Sequence, residues 1–501
     1  MADLKVSQEV DLGYAGISDT VFYRVIKAGG TYKQSYADLF AYINAHVTLQ
    51  MVLNNDHSLT NGIALIGTGT GVGNVGTQVT LIGTNSGNNN SGSEAIGIGT
   101  DALTSNRGNN VIGLGYQSSK NNGGSFVTGI GYTAAINNSG SNVIAIGVGA
   151  VDSNTGNQVI AIGDGAGVSN TGLYAIGIGY QAIAQNTANQ AIGLGYNALY
   201  QNIGAAPYAM GYEAGYANHG DQAIAIGNYA LKNNSGTYSL GLGYNAGFGN
   251  LGNQTVAIGT DAANTNSGIN VIGIGQNSSS HNSGSGSIGI GYYSLYYNQG
   301  DNNIAIGSQS LYNNIESNTI GIGGYAGQSN AGSKLIALGN NAGIYNQGND
   351  CFFVGSYAGY DIESYSVPNS GSNTIGIGYQ SAGGNTQSNV IALGDYAGYL
   401  NGGVESIFIG LNAGNGNIGA YAINIGSYAG QGNTQTDVVC IGREAGTNNA
   451  SANNFIISNY NLPSFPDQST ARSYFGSQTL STNCSYLYYD ILDDVVRVYR
   501  T

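Results

Sequence analysis

One pattern returns with a 16-residue period along most of this chain: an apolar residue, a spacer, a second apolar residue, Gly, two variable positions, then Ala or Ser. The glycine stands at Gly67, Gly83, Gly99, Gly115 and Gly131 and continues without a slip to Gly355. After one longer interval it resumes at Gly378 and runs through Gly394, Gly410 and Gly426 to Gly442, making 24 repeats. "NQVIAIGDGAGVSNTG" from Asn157 and "DQAIAIGNYALKNNSG" from Asp221 are typical copies. Self-similarity at a fixed short period marks a repeat architecture and outranks local propensity.

The period also selects the kind of repeat. Helical solenoids need roughly 33–47 residues per repeat to fit two helices and a turn. A repeat this short and this rich in Gly and Asn cannot hold that pair. Alternation such as Ile160-Ala161-Ile162 or Ile304-Ala305-Ile306 is strand periodicity. Clusters such as Asn233–Gly236 (NNSG) and Asn154–Gly156 (NTG) are turn chemistry, because Gly and Asn tolerate positive φ. Each repeat is therefore expected to hold a short strand, a tight turn at the anchor glycine, a second short strand around the Ala or Ser, and a polar turn. Stacked, such coils form an all-β parallel solenoid (a β-roll) rising by the inter-strand spacing of about 4.8 Å per coil. Gly99, Gly115, Gly131, Gly147, Gly163, Gly179, Gly195, Gly227 and Gly243 are its expected structural anchors.

Two aliphatic side chains and one Ala or Ser are expected to form the interior of a coil. At roughly 1.5–3 kcal/mol per buried aliphatic, against roughly 1–2 kcal/mol of backbone entropy per ordered residue, one coil is far from stable alone. So thin a wall also leaves an Ile-rich face to be covered. Lateral association of identical chains about a symmetry axis is the expected solution.

Composition narrows the function classes. Glycine at 84 of 501 residues would suit disorder if there were no period. Charged residues are 8% of the chain and the net charge is −14. Between Gly67 and Gly442 the only bases are Arg107, Lys120, Lys232 and Lys334. This excludes a basic track for nucleic acid or for an anionic membrane. Cys351, Cys440 and Cys484 are odd in number and far apart, so neither a metal spacing nor a disulfide framework is expected. "MADLKVSQEV" is not a secretory signal, and no apolar run approaches the roughly 20 residues that span a bilayer. Synthesis in a cytoplasm without membrane insertion is the expectation.

The ends differ in kind from the array, which suggests an N-terminal module over 1–62, a shaft over 63–458 with an insertion at about 361–369, and a C-terminal cap over 459–501. "DTVFYRVIKAGGTYK" reads as two strands about a Gly-Gly turn. "SYADLFAYINAHV" then places Tyr36, Leu39, Phe40, Ile43 and Val47 on one helical face, with Ser35 and Asp38 as a capping box. This small α+β module either closes the first coil or docks another protein, with Leu39, Phe40 and Ile43 as its attachment residues; both roles stand. "SFPDQSTARSYF" suggests a short helix, and Tyr486–Tyr489 against Val495–Tyr499 reads as a hairpin.

No catalytic constellation emerges. Paired acids on a stacked wall should lie one coil apart, and no two Asp or Glu in the array are 16 apart. Asp164, Asp261 and Asp395 read as solvent-facing turn residues. Asp350, Asp361 and Glu363 flank the insertion and are the one candidate for a cation or glycan contact. "GTGTGVG" at Gly67–Gly73 has neither the Lys-Ser/Thr nor the helix of a phosphate loop. His46, His57, His219 and His281 have no partners at ligand spacing. No enzyme, cofactor or metal is expected. Tyrosine is the informative class, with 38 residues. Tyr116, Tyr132, Tyr180, Tyr196, Tyr212, Tyr244, Tyr292 and Tyr379 follow the anchor directly, while Tyr229, Tyr325, Tyr357, Tyr396 and Tyr428 sit one place later. They serve either as stacking between coils or chains or as a glycan-binding stripe, for which Tyr116, Tyr132, Tyr180, Tyr196 and Tyr244 are the candidates.

Motifs such as "AIGNYA" at Ala225–Ala230 resemble the head of the YadA-like trimeric autotransporter adhesins, and the resemblance covers the array from Gly67 to Gly442. It implies a left-handed parallel β-roll with three chains packed side by side, hence a homotrimer. Heads of that family run nearer fourteen residues per coil, a departure in period. At the ends, "AGGTYKQSYADLFAYI" resembles the N-terminal segment of bacteriophage fibre proteins, and "FPDQSTARSYFGS" with "LYYDILDDVVRVYR" is similar to the closing segment of tailed-phage structural proteins. The resemblance implies a virion fibre, head fibre in preference to tail fibre, joined to capsid or tail proteins and displaying a neutral shaft to the host surface or its glycans. A glycan-depolymerising tailspike and a bacterial surface adhesin are the alternatives.

Overall fold

The structure, a computed structural model, describes residues 22–27, 30–35, 62–361, 368–449, 455–457, 485–490 and 495–500. The helices expected near 36–47 and 464–475, and with them Leu39, Phe40 and Ile43, lie outside the described residues, as does Glu363. No α-helix occurs among the described residues. The fold is a parallel β-solenoid of about 24 coils with a 16-residue period, divided between two compact units, Met1–Asn137 and Asn138–Thr501.

In the first unit, Phe22–Lys27 pairs antiparallel with Gly30–Ser35. Strands Ala64–Ile66, Thr80–Ile82, Ile96–Ile98, Val111–Leu114 and Val127–Ile130 then pair in parallel, in chain order. In the second unit the same ladder runs from Val143–Ile146 to Phe455–Ile457, for example Ile304 opposite Ile320 and Ala305 opposite Gly321. Successive strands are hydrogen-bonded neighbours in 16-residue register, so one repeat is one coil. The longer interval before Gly378 keeps this register, with Phe352 opposite Ile375. Tyr360 and Pro368 bridge the base of the extra segment, and Asn369 returns to the regular coil. At the far end Ile457 pairs antiparallel with Leu487 of Ser485–Asp490, which forms a hairpin with Val495–Arg500.

All 24 anchor glycines have φ between 121° and 140°. A β-carbon on Gly99 would also lie 2.3 Å from the carbonyl oxygen of Gly115 in the next coil. Only glycine meets both demands.

The expected second strand is replaced by a run of turns. After Gly99, the residues Asp101, Leu103 and Ser105 all have positive φ, at 55°, 56° and 58°. Their amides still bond between coils in alternating directions: Asp101 N to Thr84 O at 2.9 Å, Leu103 N to Ser118 O at 3.0 Å, and Ser105 N to Asn88 O at 2.7 Å. Left-handed backbone at every second residue curls the return side too tightly for a strand, yet its amides find partners in the neighbouring coils.

The interior differs from expectation too. In a strand such as Ile304–Ile306 the middle residue, Ala305, is buried, while Ile306 is 38% exposed. The two aliphatics flank the strand on its outer face, and the core is built from the small residue between them, the residue four before the anchor, and the third and fourth residues after it. The return side lies so close that the strand's central side chain and the fourth residue after the anchor must share one volume. A β-carbon on Gly177 would sit 2.5 Å from Ile183 Cγ1; one on Gly87 would sit 2.2 Å from Leu81 Cδ1. Large residues accordingly face glycine: Gly177 with Ile183, Leu81 with Gly87, Phe353 with Gly359, Phe408 with Gly414.

Seven residues past the anchor, in all coils but the one with the insertion, an asparagine completes the interior, buried in every case but Asn74. In the second unit Asn170 Nδ2 donates to Asn154 Oδ1 at 2.9 Å and to Gly172 O at 2.9 Å, and the pattern repeats coil by coil. The ladder passes the insertion through Asn346 and Asn369, 2.8 Å apart. Each side-chain amide thus satisfies a neighbour as well as its own turn. Asn424 is the contrary case. It occupies the strand's central position, between buried Phe408 and Cys440, and neither its Oδ1 nor its Nδ2 has a partner.

Three substitutions test this interior. Asn424→Ala removes two buried unpaired groups and should stabilise the chain by about 1–3 kcal/mol. Asn234→Ala breaks the ladder in the same unit and should destabilise it by at least about as much, read as opposite shifts in unfolding midpoint. Gly177→Ala should cost about 1–3 kcal/mol by overpacking, with most of that loss recovered when Ile183→Ala is combined with it.

Candidate binding surface

Outside the strand, the polar face of many coils carries tyrosines. The candidates Tyr116, Tyr132, Tyr180, Tyr196 and Tyr244 are all more than one-third exposed, directly after their anchors. Because coils repeat in register, rings at this position meet their equivalents one coil away. Tyr116 and Tyr132 stack at 4.9 Å and 13°, Tyr180 and Tyr196 at 4.8 Å and 12°, and Tyr196 and Tyr212 at 5.0 Å and 8°. Such pairs cover the faces between their rings, and Tyr196, stacked on both Tyr180 and Tyr212, is covered on both faces. Tyr244 is different: Tyr229 meets it edge-on at 5.8 Å and 87°.

A second aromatic column lies five residues after the anchor, which sequence reasoning missed. Tyr200 stacks on Tyr216 at 5.3 Å, and Tyr296 on Tyr312 at 5.3 Å. The signal was present in the pairs Leu199-Tyr200, Leu295-Tyr296 and Leu311-Tyr312, where a buried Leu precedes each ring. Lys232 takes this place in its own coil. Its ammonium lies 5.0 Å from the Tyr216 ring centre and 5.2 Å from that of Tyr229, and it forms an ion pair with Glu213. One of the few bases of the array is thus held by its own surface.

Four of the carboxylates singled out from sequence are occupied locally. Asp350 pairs with Lys334 at 3.1 Å. Asp361 is buried and accepts the hydroxyl of Tyr399. Asp261 accepts from Asn245 Nδ2 at 3.0 Å, and Asp395 from the Tyr379 amide at 2.9 Å. Among the described residues no three His, Cys, Asp or Glu side chains gather to hold a metal ion, and no helix is long and apolar enough to cross a membrane.

Three groups are displaced far upward in pKa. Burial pushes the Cys351 thiol to about 11 and the Cys440 thiol to about 12, from the ordinary value of 9. Burial, then the neighbouring Tyr297 hydroxyl, pushes the Tyr296 phenol to about 12. All three are neutral when protonated, so their contribution is complete below the unfolded pKa and is lost as pH rises through the folded one. Unfolding temperature should therefore hold up to pH 9 and fall between pH 9 and 12. At pH 8, Cys351 and Cys440 should react with a thiol reagent only after denaturation, as peptide mapping would show.

No protein-family model matches the chain, and no curated protein is significantly similar to it.

Proposed function

We propose that this chain is the shaft protein of a homotrimeric virion fibre of a tailed bacteriophage, fixed to the particle through an end module and offering a neutral surface to host glycans. The observation that carries the reading is the aliphatic double column on the outer face of the strands. Ile96, Ile98, Ile224, Ile226, Ile375 and Ile377 are each 36–44% exposed in the single chain, and equivalents recur in coil after coil. Contiguous apolar surface of this extent marks an interaction face, and because every coil repeats it, a second and third copy of the same chain match it along its length. Sparse charge supports the remainder: with charged residues at 8%, a net charge of −14 and few bases in the array, the shaft has little attraction for nucleic acid and remains well hydrated. The phage reading itself rests on the resemblance of the two end segments.

Sedimentation of the purified chain should give a trimer that dissociates only on unfolding; a folded monomer at micromolar concentration would sink the assembly. Ile306→Asp places a charge on the exposed column and leaves the chain's own interior intact, so it should yield folded chains that no longer associate, whereas Gln309→Asp should leave both folding and association unchanged. Deleting residues 1–50 should leave a soluble shaft that fails to decorate particles. Reducing ends released from host capsular polysaccharide would favour the tailspike reading instead.

A further inference from the structure

The stacked tyrosines pose a geometric problem for glycan binding. A sugar packs the C–H groups of its apolar face against the negative face of an aromatic ring. In the runs Tyr116–Tyr132 and Tyr180–Tyr196–Tyr212 the faces between successive rings are already covered, on both sides for Tyr196. Ring faces for a sugar must therefore be sought where the stacking register breaks. It breaks in the coils anchored at Gly275 and Gly291, where edge-on contacts between adjacent tyrosines replace stacking directly after the anchor.

Here Tyr292, Tyr293, Tyr296, Tyr297, Tyr312 and His281 converge. Tyr292 meets Tyr293 at 4.4 Å and 80°, Tyr293 meets Tyr296 at 4.9 Å and 66°, and Tyr296 meets Tyr297 at 4.4 Å and 75°. His281 lies against Tyr297 at 4.8 Å and 39° and against Tyr296 at 5.5 Å and 66°. Edge-on contact sets the edge of one ring against the face of another, so the rings of Tyr292 and Tyr297 are not stacked face to face as Tyr196 is. Tyr292 is 47% and Tyr297 44% exposed, flanking the half-buried Tyr293 and Tyr296. The rings hold one another, so little side-chain freedom remains to be lost on binding.

Five phenol hydroxyls and an imidazole surround these faces with donors and acceptors but no fixed charge. The carboxylate felt there is that of Asp261, whose negative charge adds a minor part to the burial that raises the Tyr293 phenol. An aromatic cage for a cation would need converging open faces, and one face of Tyr296 is closed by Tyr312 at 14°. Where this surface does hold a cation, at Lys232, a carboxylate is paired with it directly. We infer that the Tyr292–Tyr297 patch is a binding site for a neutral saccharide, with Tyr292 and Tyr297 as its stacking faces.

This inference deepens the adhesion part of the proposed function and needs neither a particle nor a trimer for its test. The full chain would be titrated with neutral gluco-, galacto- and manno-oligosaccharides and with choline, using saturation-transfer NMR and calorimetry. At least one neutral oligosaccharide should bind, and Tyr292→Ala and Tyr297→Ala should each weaken it at least tenfold. Tyr196→Ala, in a closed stack, should leave binding unchanged, and circular dichroism should show all three variants folded. Binding of choline in preference to every sugar, binding of no sugar, or equal loss with Tyr196→Ala would each overturn the site. Sedimentation of the same variants reads the assembly separately, so a trimer that binds no sugar and a monomer that binds one are distinguishable failures.

Discussion

The close approach of backbone to backbone at the anchor glycines governs the rest of the structure. A β-carbon on Gly227 would stand 2.4 Å from the oxygen of Gly243, and one on Gly220 would stand 1.9 Å from the oxygen of Gly236 on the opposite turn. Two glycine columns therefore bring coils to hydrogen-bonding distance on both sides of the stack. Once the coils are that close, the interior is too narrow for two large side chains at one level. Alanine, serine and asparagine fill it, and each large residue is answered by glycine or alanine across the coil. The same narrowness turns the long aliphatics outward. What resembles a core motif in the sequence is, in a single chain, a surface.

The repeat and its consequences were legible in the sequence because they depend on spacing alone. The 16-residue period implied one coil per repeat, the parallel ladder, the anchor turn and the undisturbed register across the longer interval before Gly378. Which way the strand faces was not legible from alternation. Ile304-Ala305-Ile306 alternates equally well with either face inward, and only the return side decides it. The signal that would have helped was the reciprocal change of size at two positions six apart, as in Gly177 with Ile183 and Phe353 with Gly359. The second strand was misread for a different reason. Positive φ was expected at Asn and Gly, yet it also occurs at Leu103, Leu231 and Leu311, where burial of the side chain offsets local strain.

The tyrosines were legible in position and not in posture. A side chain placed at one phase of an exact repeat meets its own copy at the strand spacing, near the optimum for offset aromatic stacking. A regular column thus closes the faces between its rings, and edge-on contacts replace stacking where the column is doubled, as at Tyr292-Tyr293 and Tyr296-Tyr297. Spacing alone finds the column; the break in it is visible only once neighbouring phases are considered together.

The asparagine ladder has a direction. Asn186 donates to Asn170, Asn202 to Asn186 and Asn218 to Asn202, always from the later coil to the earlier. A partly folded stack therefore offers an amide oxygen at its C-terminal edge, waiting for a donor that the next repeat brings. Growth in that direction follows the order in which a ribosome delivers the chain. In this sense the solenoid is a one-way template: the newest coil is read by the one before it, and a coil lacking the asparagine would leave the reader without a partner.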